Sequence, residues 1–369
     1  MIRIYFWQQM LTPHMTALAI SLSKIGYEIF YVAETSLSKD RQDLGWEVQN
    51  TEKINVHFVK NHFSVKSIIQ NSPANSIHIC QGLRNNGIIS YVQKQLKINK
   101  SRQWLIIETI RDYGIQRFIR RAIYKIKTYS KRKSIEGILA IGWKTPELLI
   151  KSGFSSEKIF PFSYFIGPYK NTKPKEHIKN DKFRFIYVGS LVSNKNLDLL
   201  IKALSLLKSY KFELIIIGDG PKKKAWKNYA DELIPNCSFW KGAFKMSEVY
   251  QFINVADCLV LPSKHDGWGT VVSEALISGV PAICSDTCGV AEVVKLSNYG
   301  GVFKSGNIDD LVKNLKVVLD NGQLEKKERQ KLLNWSKKIT SDEGANYLKK
   351  IINFTDGYGE RPKSPWNEY

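Results

Sequence analysis

Short apolar runs alternate along the chain with segments of helical periodicity. In the first half the stretch Pro13–Gly26 predicts a helix, because its leucines and isoleucines recur at helical spacing before a glycine stop. A second helix is predicted from Thr145, with proline in its first turn. The predicted strands of this half are Ile2–Trp7, Glu28–Ala33, Ile77–Cys80, Trp104–Glu108 and Gly137–Ile141.

The second half repeats this alternation more clearly. The predicted strands are Phe183–Gly189, Phe212–Gly218, Cys258–Pro262 and Pro281–Ser285. The predicted helices are Leu197–Leu207, Ser273–Ser278, Asp309–Leu319 and Glu325–Lys338. Such alternation predicts parallel sheets wound by helices, with ligands at the carboxyl ends of the strands.

The periodicity fails near residues 160–182, where three prolines and a polar run predict a linker. We therefore expect an N-terminal domain over 1–165, a linker over 166–182 and a C-terminal domain over 183–338. A C-terminal helix over 339–356 and a tail over 357–369 follow. The expected fold class is α/β, with two Rossmann-like, doubly wound domains that face each other across a cleft.

Composition favours a globular cytoplasmic protein over a disordered or membrane-spanning one. Of 369 residues 43% are hydrophobic and 24% charged, no run approaches a membrane span, and the N-terminus lacks the features of a signal peptide. The five cysteines are odd in number and lie mostly in apolar runs, which predicts free buried thiols and no zinc site.

The net charge is +21, and it is densest in the first half. Residues 1–165 hold 24 Lys and Arg against 11 Asp and Glu, which gives +13. This balance points to an acidic surface or ligand on that side.

Three strand-end loops of the second half carry residues suited to a phosphorylated ligand. In the first, Gly189 lets a ligand approach the backbone and Lys195 supplies charge before a helix N-terminus. The second is Gly-Asp-Gly-Pro from Gly218. The third runs from Leu261 into a helix and places two glycines around a tryptophan, followed by Glu274. Taken singly, the first two are also typical of ordinary turns.

Together these segments, over about residues 183–320, resemble the donor site of the retaining glycosyltransferases of family 4, which have the GT-B fold and include bacterial polysaccharide enzymes. Asp266 and Glu274 occupy the two ends of that family's Glu-x7-Glu motif. The resemblance implies that Glu274 binds the nucleotide ribose, Asp266 the transferred sugar, and Lys195 the diphosphate leaving group. It also implies no metal and no cofactor besides a nucleotide sugar, UDP- or GDP-linked. The implied donor-binding residues are Gly189, Ser190, Lys195, Gly218, Gly242, Asp266, Gly267, Trp268, Gly269, Thr270 and Glu274, of which Asp266, Lys195 and Glu274 are the catalytic candidates.

Two positions depart from the family pattern. Ser190 stands where the family usually has arginine, and Asp266 stands where it usually has glutamate. One phosphate-binding cation is therefore missing, and Lys264 or another nearby cation is expected to replace it.

The first half resembles the family only loosely, and its candidate residues belong to the acceptor side. The usual Gly-Gly loop is replaced by the segment from Gln8 to His14, and Cys80 falls where many members have a catalytic histidine. A surface histidine at His14 and an ordinary surface ion pair between Glu108 and Arg111 remain open alternatives. The acceptor-side candidates are His14, His78, Gln81, Glu108 and Arg111.

Residues 111–133 hold nine Lys or Arg against one Asp, with apolar residues on one helical face. This pattern is typical of a helix lying on an anionic membrane, although a core-packed helix with a solvated basic face has it too. No nucleic-acid-binding motif accompanies the charge, so we expect no nucleic-acid partner. The expected contacts of this peripheral helix on the inner face of the cell membrane are Arg117, Phe118, Arg120, Arg121 and Lys125.

The sequence thus predicts a hexosyltransferase that uses a nucleotide sugar and a glycan or lipid-linked saccharide. The resemblance implies that its C-terminal helix packs back toward the N-terminal domain. Two other functions stay open: a sugar-nucleotide epimerase of the same fold, and a non-catalytic membrane- or nucleic-acid-binding protein with a vestigial donor site, which Ser190 favours.

Overall fold

A computed structural model describes residues 2–43, 45–48, 51–83, 86–109, 117–167 and 181–367. The chain divides into two compact units. Unit 1 comprises Met1–Lys39, Val48–Gly167 and Ser341–Tyr369, and unit 2 comprises Asp40–Glu47 and Pro168–Thr340. Each unit contains its own parallel sheet with helices around it, so the predicted α/β class with two doubly wound sheets is confirmed.

The sheet of unit 1 has seven parallel strands in the order β3-β2-β1-β4-β5-β6-β7. Chain order reverses between β1 and β4, and ligands of doubly wound sheets bind beside such a reversal. The strands are β1 (Arg3–Met10), β2 (Glu28–Thr35), β3 (Asn55–Phe58), β4 (Ile77–Gln81), β5 (Arg102–Glu108), β6 (Ile135–Ile141) and β7 (Ile159–Phe162).

The described residues before β7 form the helices α1 (Pro13–Lys24), α2 (Lys39–Asp43), α3 (His62–Gln70), α4 (Ile89–Ile98), α5 (Arg117–Lys131) and α6 (Thr145–Lys151). The central strands are buried on both faces, and large side chains such as Trp7, Trp104 and Phe160 are almost fully enclosed. Burial of this apolar area, at about 25 cal/mol per Å², is the main force that holds the strand ends in place.

Unit 2 repeats the arrangement with six parallel strands in the order β10-β9-β8-β11-β12-β13. Its strands are β8 (Phe183–Val188), β9 (Phe212–Ile217), β10 (Ser238–Gly242), β11 (Cys258–Leu261), β12 (Ala282–Ser285) and β13 (Gly300–Phe303). Its helices are α7 (Leu197–Ser205), α8 (Lys223–Leu233), α9 (Met246–Asn254), α10 (Thr270–Ile277), α11 (Ala291–Ser297), α12 (Ile308–Asn321) and α13 (Lys326–Ser336).

The last helix, α14 (Ser341–Thr355), belongs to unit 1 and packs against α1. The hydroxyl of Ser21 donates to the Asp342 carboxylate at 2.7 Å, and Lys24 approaches the same carboxylate at 3.2 Å. The segment that follows is not a loose tail, because the Arg361 guanidinium lies over the rings of Phe160 and Phe354. It also donates to three backbone carbonyls between residues 156 and 159.

The N-terminal domain predicted over 1–165 needs one correction, because Asp40–Glu47 groups with unit 2. The Met246 N–H donates to the Gly45 carbonyl at 2.8 Å, and the Ser247 hydroxyl donates to Glu47 at 2.7 Å. The short helix α2 has no buried residue, so its sequence carries no apolar pattern that could reveal this packing. Of the predicted linker, residues 168–180 lie outside the described part of the chain.

Candidate active site

The first predicted loop of unit 2 leaves β8 at Gly189, where a Cβ would come within 3.3 Å of the Tyr187 hydroxyl. That hydroxyl donates to the Ser190 carbonyl at 3.1 Å. Burial first, then the nearby Asp266 and Asp198 carboxylates, raises the pKa of Tyr187 well above its usual range. The phenol therefore stays neutral and holds the loop in place through its hydrogen bond to the Ser190 carbonyl.

The second loop is locked to the first by backbone contacts. Leu191 donates its N–H to the Asp219 carbonyl at 2.8 Å, and Gly218 donates to the Gly242 carbonyl at 2.8 Å. Gly218 has φ +140°, and a Cβ there would overlap the carbonyl oxygen of Gly189. Glycine is thus required at position 218 by both backbone conformation and space.

The third loop follows β11 and is tied to the first by two hydrogen bonds. The Asn194 side-chain amide donates to the His265 carbonyl at 2.8 Å, and the Lys264 N–H donates to the Asn194 carbonyl at 2.8 Å. The Lys264 residue is exposed. Asn194 was not among the predicted site residues, although asparagine side chains often fix loops by hydrogen bonding to backbone groups.

A charged pair lies where these loops meet. The ammonium of Lys195 is 2.5 Å from an Asp266 carboxylate oxygen, and each side chain is about one-fifth exposed. The two residues are 71 positions apart in the chain. Their contact joins the predicted phosphate-binding cation to the predicted sugar-binding carboxylate.

Behind Asp266 lies a fourth loop, over residues 286–290, which the sequence analysis did not single out. The N–H of Gly289 donates to the Asp266 carbonyl at 3.1 Å, and Val290 donates to the Trp268 carbonyl at 2.9 Å. A Cβ at Gly289 would overlap the Gly267 carbonyl oxygen. The Cys-Gly-Val run after β12 was the available signal, since a glycine at a strand end permits close backbone approach.

The segment 266–274 enters α10 through Gly269, which has φ +95°. The Trp268 indole is buried and donates to the Ser273 hydroxyl at 3.0 Å, so only the backbone of Trp268 can serve a ligand. Glu274 is 8% exposed and stands one turn after Thr270, the first residue of the helix. The other predicted donor residue, Gly242, ends β10 beside Gly218.

Unit 1 contains a cavity of about 260 Å³ at the carboxyl ends of β1, β4 and β5. Two of the predicted acceptor-side residues, Gln81 and Glu108, line it. The Tyr164 hydroxyl donates to the Glu108 carboxylate. Gln8 and Gln9, from the segment that replaces the Gly-Gly loop, also line it, as do Tyr124 of α5 and three polar residues that were not predicted, Asn86, Thr109 and Tyr164.

The other predicted acceptor-side residues in the described part of the chain do not line this cavity. His14 is 7% exposed, and its ring centroid lies 5.7 Å from that of Tyr164, beside the cavity. His78 does not line the cavity, which differs from the acceptor-side prediction for this residue. Its ring is buried, stacked on Tyr5, and accepts from the Trp7 indole at 3.1 Å. Arg111 lies outside the described residues.

Burial keeps both His78 and Cys80 in their neutral forms near pH 7. It lowers the pKa of His78 to about 3, so the imidazole is neutral near pH 7. Burial likewise raises the pKa of the Cys80 thiol far above its usual range, and the side chain is fully enclosed. Both side chains belong to the core of unit 1.

The predicted apolar face of α5 is largely exposed. Phe118 and Ile119 are each 61% exposed and Ile126 71%, whereas Tyr124 and Thr128 form the buried side. Arg121 and Lys125 are exposed beside the apolar residues, and Arg120 is half-buried. A core-packed apolar stripe is therefore not what the structure has. Of Arg117 only the backbone is described. Among the described helices, none is long and apolar enough to cross a membrane.

Residues 169–337 match the family described as Glycosyl transferases group 1. A putative teichuronic acid biosynthesis glycosyltransferase, TuaC of Bacillus subtilis, is 28% identical over 214 residues, which are 50% of this chain and 53% of TuaC. The chain spans about half the length of the curated relatives it matches.

Solved structures match over nearly the whole chain at low identity. The apo form of the lipopolysaccharide outer core galactosyltransferase WaaB is 19% identical, with a TM-score of 0.70 over 96% of this chain and 100% of WaaB. HepE of Anabaena in complex with UDP is 13% identical, with a TM-score of 0.71 over the same shares. The fold is therefore that of the GT-B glycosyltransferases.

Proposed function

We propose that this chain is a retaining glycosyltransferase of family 4 that moves a hexose-type sugar from a UDP- or GDP-linked donor to a glycan or lipid-linked saccharide. The observation that carries the proposal is that the first and third strand-end loops of unit 2 meet at the Lys195–Asp266 pair, while the second loop is hydrogen-bonded to the first. The UDP bound to HepE supports a nucleotide-sugar donor, and the similarity to TuaC, a teichuronic acid biosynthesis glycosyltransferase, supports cell-surface polysaccharide synthesis.

In this proposal the site must stabilise the negative charge that develops as the nucleoside diphosphate leaves. Lys195 stabilises that charge, because an ammonium held in a partly enclosed site acts without reorganisation. Asp266 and the backbone N–H groups of Gly267–Gly269 hold the transferred sugar, and Glu274 accepts from the ribose hydroxyls. Neither a metal nor a further cofactor takes part.

The donor site can be tested by thermal unfolding with UDP, GDP, ADP and their sugar conjugates. A nucleotide at a hundred times its dissociation constant should add about 2.7 kcal/mol to the free energy of unfolding. Glu274→Ala should remove this stabilisation, because the ribose hydroxyls lose the carboxylate that accepts their hydrogen bonds. Glu232→Ala, an exposed carboxylate of α8 in the same unit, is the matched control and should keep it.

The products then identify the reaction. Transfer of the sugar to a saccharide supports the proposal, and conversion of the nucleotide sugar into an epimer would replace it. If no nucleotide stabilises the folded protein, the donor site is vestigial and the proposal fails.

We further propose that α5 attaches the protein to the cytoplasmic face of an anionic membrane. Exposed Phe118, Ile126 and Tyr129 would enter the headgroup region while Arg121 and Lys125 contact acidic lipids. On its buried side the same helix contributes Tyr124 to the cavity of unit 1. A membrane-bound α5 would thus place that cavity close to a lipid-linked acceptor.

Sedimentation with vesicles tests this attachment. Arg121→Ser with Lys125→Ser should weaken binding to anionic vesicles about 30-fold, since each basic residue contributes about 1 kcal/mol near the surface. The control removes two exposed lysines of α14 in the same unit, Lys349→Ser with Lys350→Ser. Equal weakening in both variants would show that net charge, and not α5, drives binding.

A further inference from the structure

The two charged side chains where the first and third loops of unit 2 meet are paired with each other. The Lys195 ammonium lies 2.5 Å from an Asp266 carboxylate oxygen, and each side chain is about one-fifth exposed. Among the described residues, neither side chain makes another hydrogen bond or ion pair. Lys195 is also the only basic residue of the first loop, residues 189–196. The cation that this loop offers to a phosphate is therefore already held by a carboxylate.

The backbone of Asp266 keeps this carboxylate beside Lys195. The Asp266 N–H donates to the Thr287 carbonyl at 3.3 Å, and the Asp266 carbonyl accepts from the Gly289 N–H at 3.1 Å. A parallel β-bridge also pairs Asp266 with Cys288. Since the fourth loop holds this backbone on both sides, the short aspartate side chain has little room to carry its charge away.

Lys195 is fixed from its own side of the pair. The Lys195 N–H donates to the Val192 carbonyl at 2.8 Å. The preceding residue, Asn194, is bonded to the third loop through its side-chain amide and its carbonyl. Backbone contacts thus place both members of the pair, and a ligand must compete with an interaction that is already formed.

A diphosphate that binds Lys195 comes close to the Asp266 carboxylate. The ammonium has three donors, so it can hold a phosphate oxygen and the carboxylate at once. Two oxygens on one nitrogen are at most about 6 Å apart, which is twice a hydrogen-bond length. Two anions at that distance in a partly enclosed site repel each other. Asp266 therefore opposes the binding of a phosphate at Lys195.

A transferred sugar offsets this opposition. Its hydroxyl groups donate to the carboxylate, and such charge-assisted hydrogen bonds compensate Asp266 for the loss of the ammonium. A nucleoside diphosphate without the sugar brings no such donor, so Asp266 either keeps Lys195 or stays unpaired in a partly enclosed site. The intact donor thus satisfies both members of the pair, whereas the diphosphate satisfies only the lysine.

We infer that the Lys195–Asp266 pair makes the donor site discriminate against the free nucleoside diphosphate, with Asp266 as the specificity-determining residue. The inference rests on the proposed function for the assignment of a nucleotide-sugar donor. In this role Asp266 favours release of the product, because the diphosphate is what remains after the sugar is transferred.

Isothermal titration calorimetry of the full chain with UDP, UDP-glucose, GDP and GDP-mannose tests the inference near pH 7 and at about 0.15 M salt. Asp266→Asn removes the competing charge, so this variant should bind the nucleoside diphosphate at least about tenfold more tightly than wild type. The matching nucleotide sugar should gain less affinity, because its hydroxyls lose the carboxylate. Asp231→Asn, at an exposed aspartate of α8, makes the same change in net charge and should stay within about twofold of wild type.

The direction of the change separates this role from a structural one, because a damaged loop weakens binding and does not strengthen it. Asp266→Glu keeps the charge and should stay within about threefold of wild type. Diphosphate binding that is unchanged or weaker in Asp266→Asn, or an equal gain in Asp266→Glu, would overturn the inference. If Asp266→Asn does not fold, Asp266→Ser removes the same charge and is measured instead.

Nucleotide binding by the wild-type protein keeps the two proposals apart. If wild type binds the nucleotide sugar and Asp266→Asn gains no affinity for the diphosphate, the discrimination fails and the donor site stands. If neither protein binds any nucleotide, the donor site fails and the discrimination fails with it.

Discussion

Replacing Lys195 by methionine is expected to lower kcat for sugar transfer by about 10²–10³-fold, the usual cost of removing one preorganised group that stabilises transition-state charge. The lysine lies 2.5 Å from Asp266 in the first and third loops of unit 2, and both side chains are largely enclosed. Charge on the leaving diphosphate is greatest in the transition state, so kcat should fall more than the donor KM rises.

The measurement is steady-state release of nucleoside diphosphate from the donor identified by thermal unfolding. Lys202→Met is the matched control, because Lys202 is an exposed lysine of α7 in the same unit, and its kcat should stay within about twofold of wild type. Loss of Lys195 leaves the mostly enclosed Asp266 carboxylate without its partner, so the free energy of unfolding should fall as well, and kcat is therefore compared at a temperature at which both proteins are fully folded. A fall in kcat below about fivefold would assign Lys195 a structural role beside Asp266 and remove it from the chemistry.

The positions of the predicted donor-side residues could be inferred from sequence because each follows a buried strand by only a few positions. Gly189 comes directly after β8, Gly218 directly after β9, and Asp266 five residues after β11. Parallel strands place their carboxyl ends at one edge of a sheet, so strand prediction alone brings these loops together. What spacing could not show is the direct contact between Lys195 and Asp266, which depends on how Asn194 fixes both loops.

The cavity-lining residues of unit 1 are harder to predict from sequence, because the strand ends there carry amides, which are common on any protein surface. Gln8 differs from an ordinary glutamine only through its burial, and burial emerges from packing that no local pattern encodes. The prediction for His78 differs from the structure for the opposite reason, because its residue type suggests chemistry while its position is buried. A histidine in a strand near a family's catalytic position suggests chemistry, whereas its alternation along β4 places the ring against Trp7 and Tyr5.

Some short strands are not predicted, because their amino-acid composition does not distinguish a strand from a loop. No residue of the edge strands β3 and β10 is fully buried, and polar residues such as Asn55, His57 and Lys241 interrupt the apolar run that marks a buried strand. The sequence predicts only a tail over 357–369 for a similar reason. Its anchoring comes from single contacts without periodicity, such as the Arg361 guanidinium over Phe160 and Phe354 and the buried Trp366 beside Phe165.

Gly218→Ala should destabilise unit 2 by about 3 kcal/mol and weaken nucleotide binding by at least about tenfold. At φ +140° an alanine is strained, and its Cβ would overlap the Gly189 carbonyl oxygen, which is backbone and cannot rotate away. The first and second loops would have to separate, and the Leu191–Asp219 hydrogen bond that joins them would be lost. Because the proposed diphosphate site depends on these loops, stability and binding should fall together.

Gly306→Ala separates backbone strain from the clash. Gly306 has φ +79° in the same unit, but a Cβ there meets nothing within 4 Å, so the strain alone should cost about 1–2 kcal/mol without weakening nucleotide binding. Thermal unfolding with and without the nucleotide measures both quantities for each variant. If Gly218→Ala behaves like Gly306→Ala, the loops tolerate separation and the tight packing of Gly218 on Gly189 is not what shapes the donor site. If binding is lost only in Gly218→Ala, the donor site depends on backbone contact between loops whose chemistry the sequence reveals but whose spacing it does not.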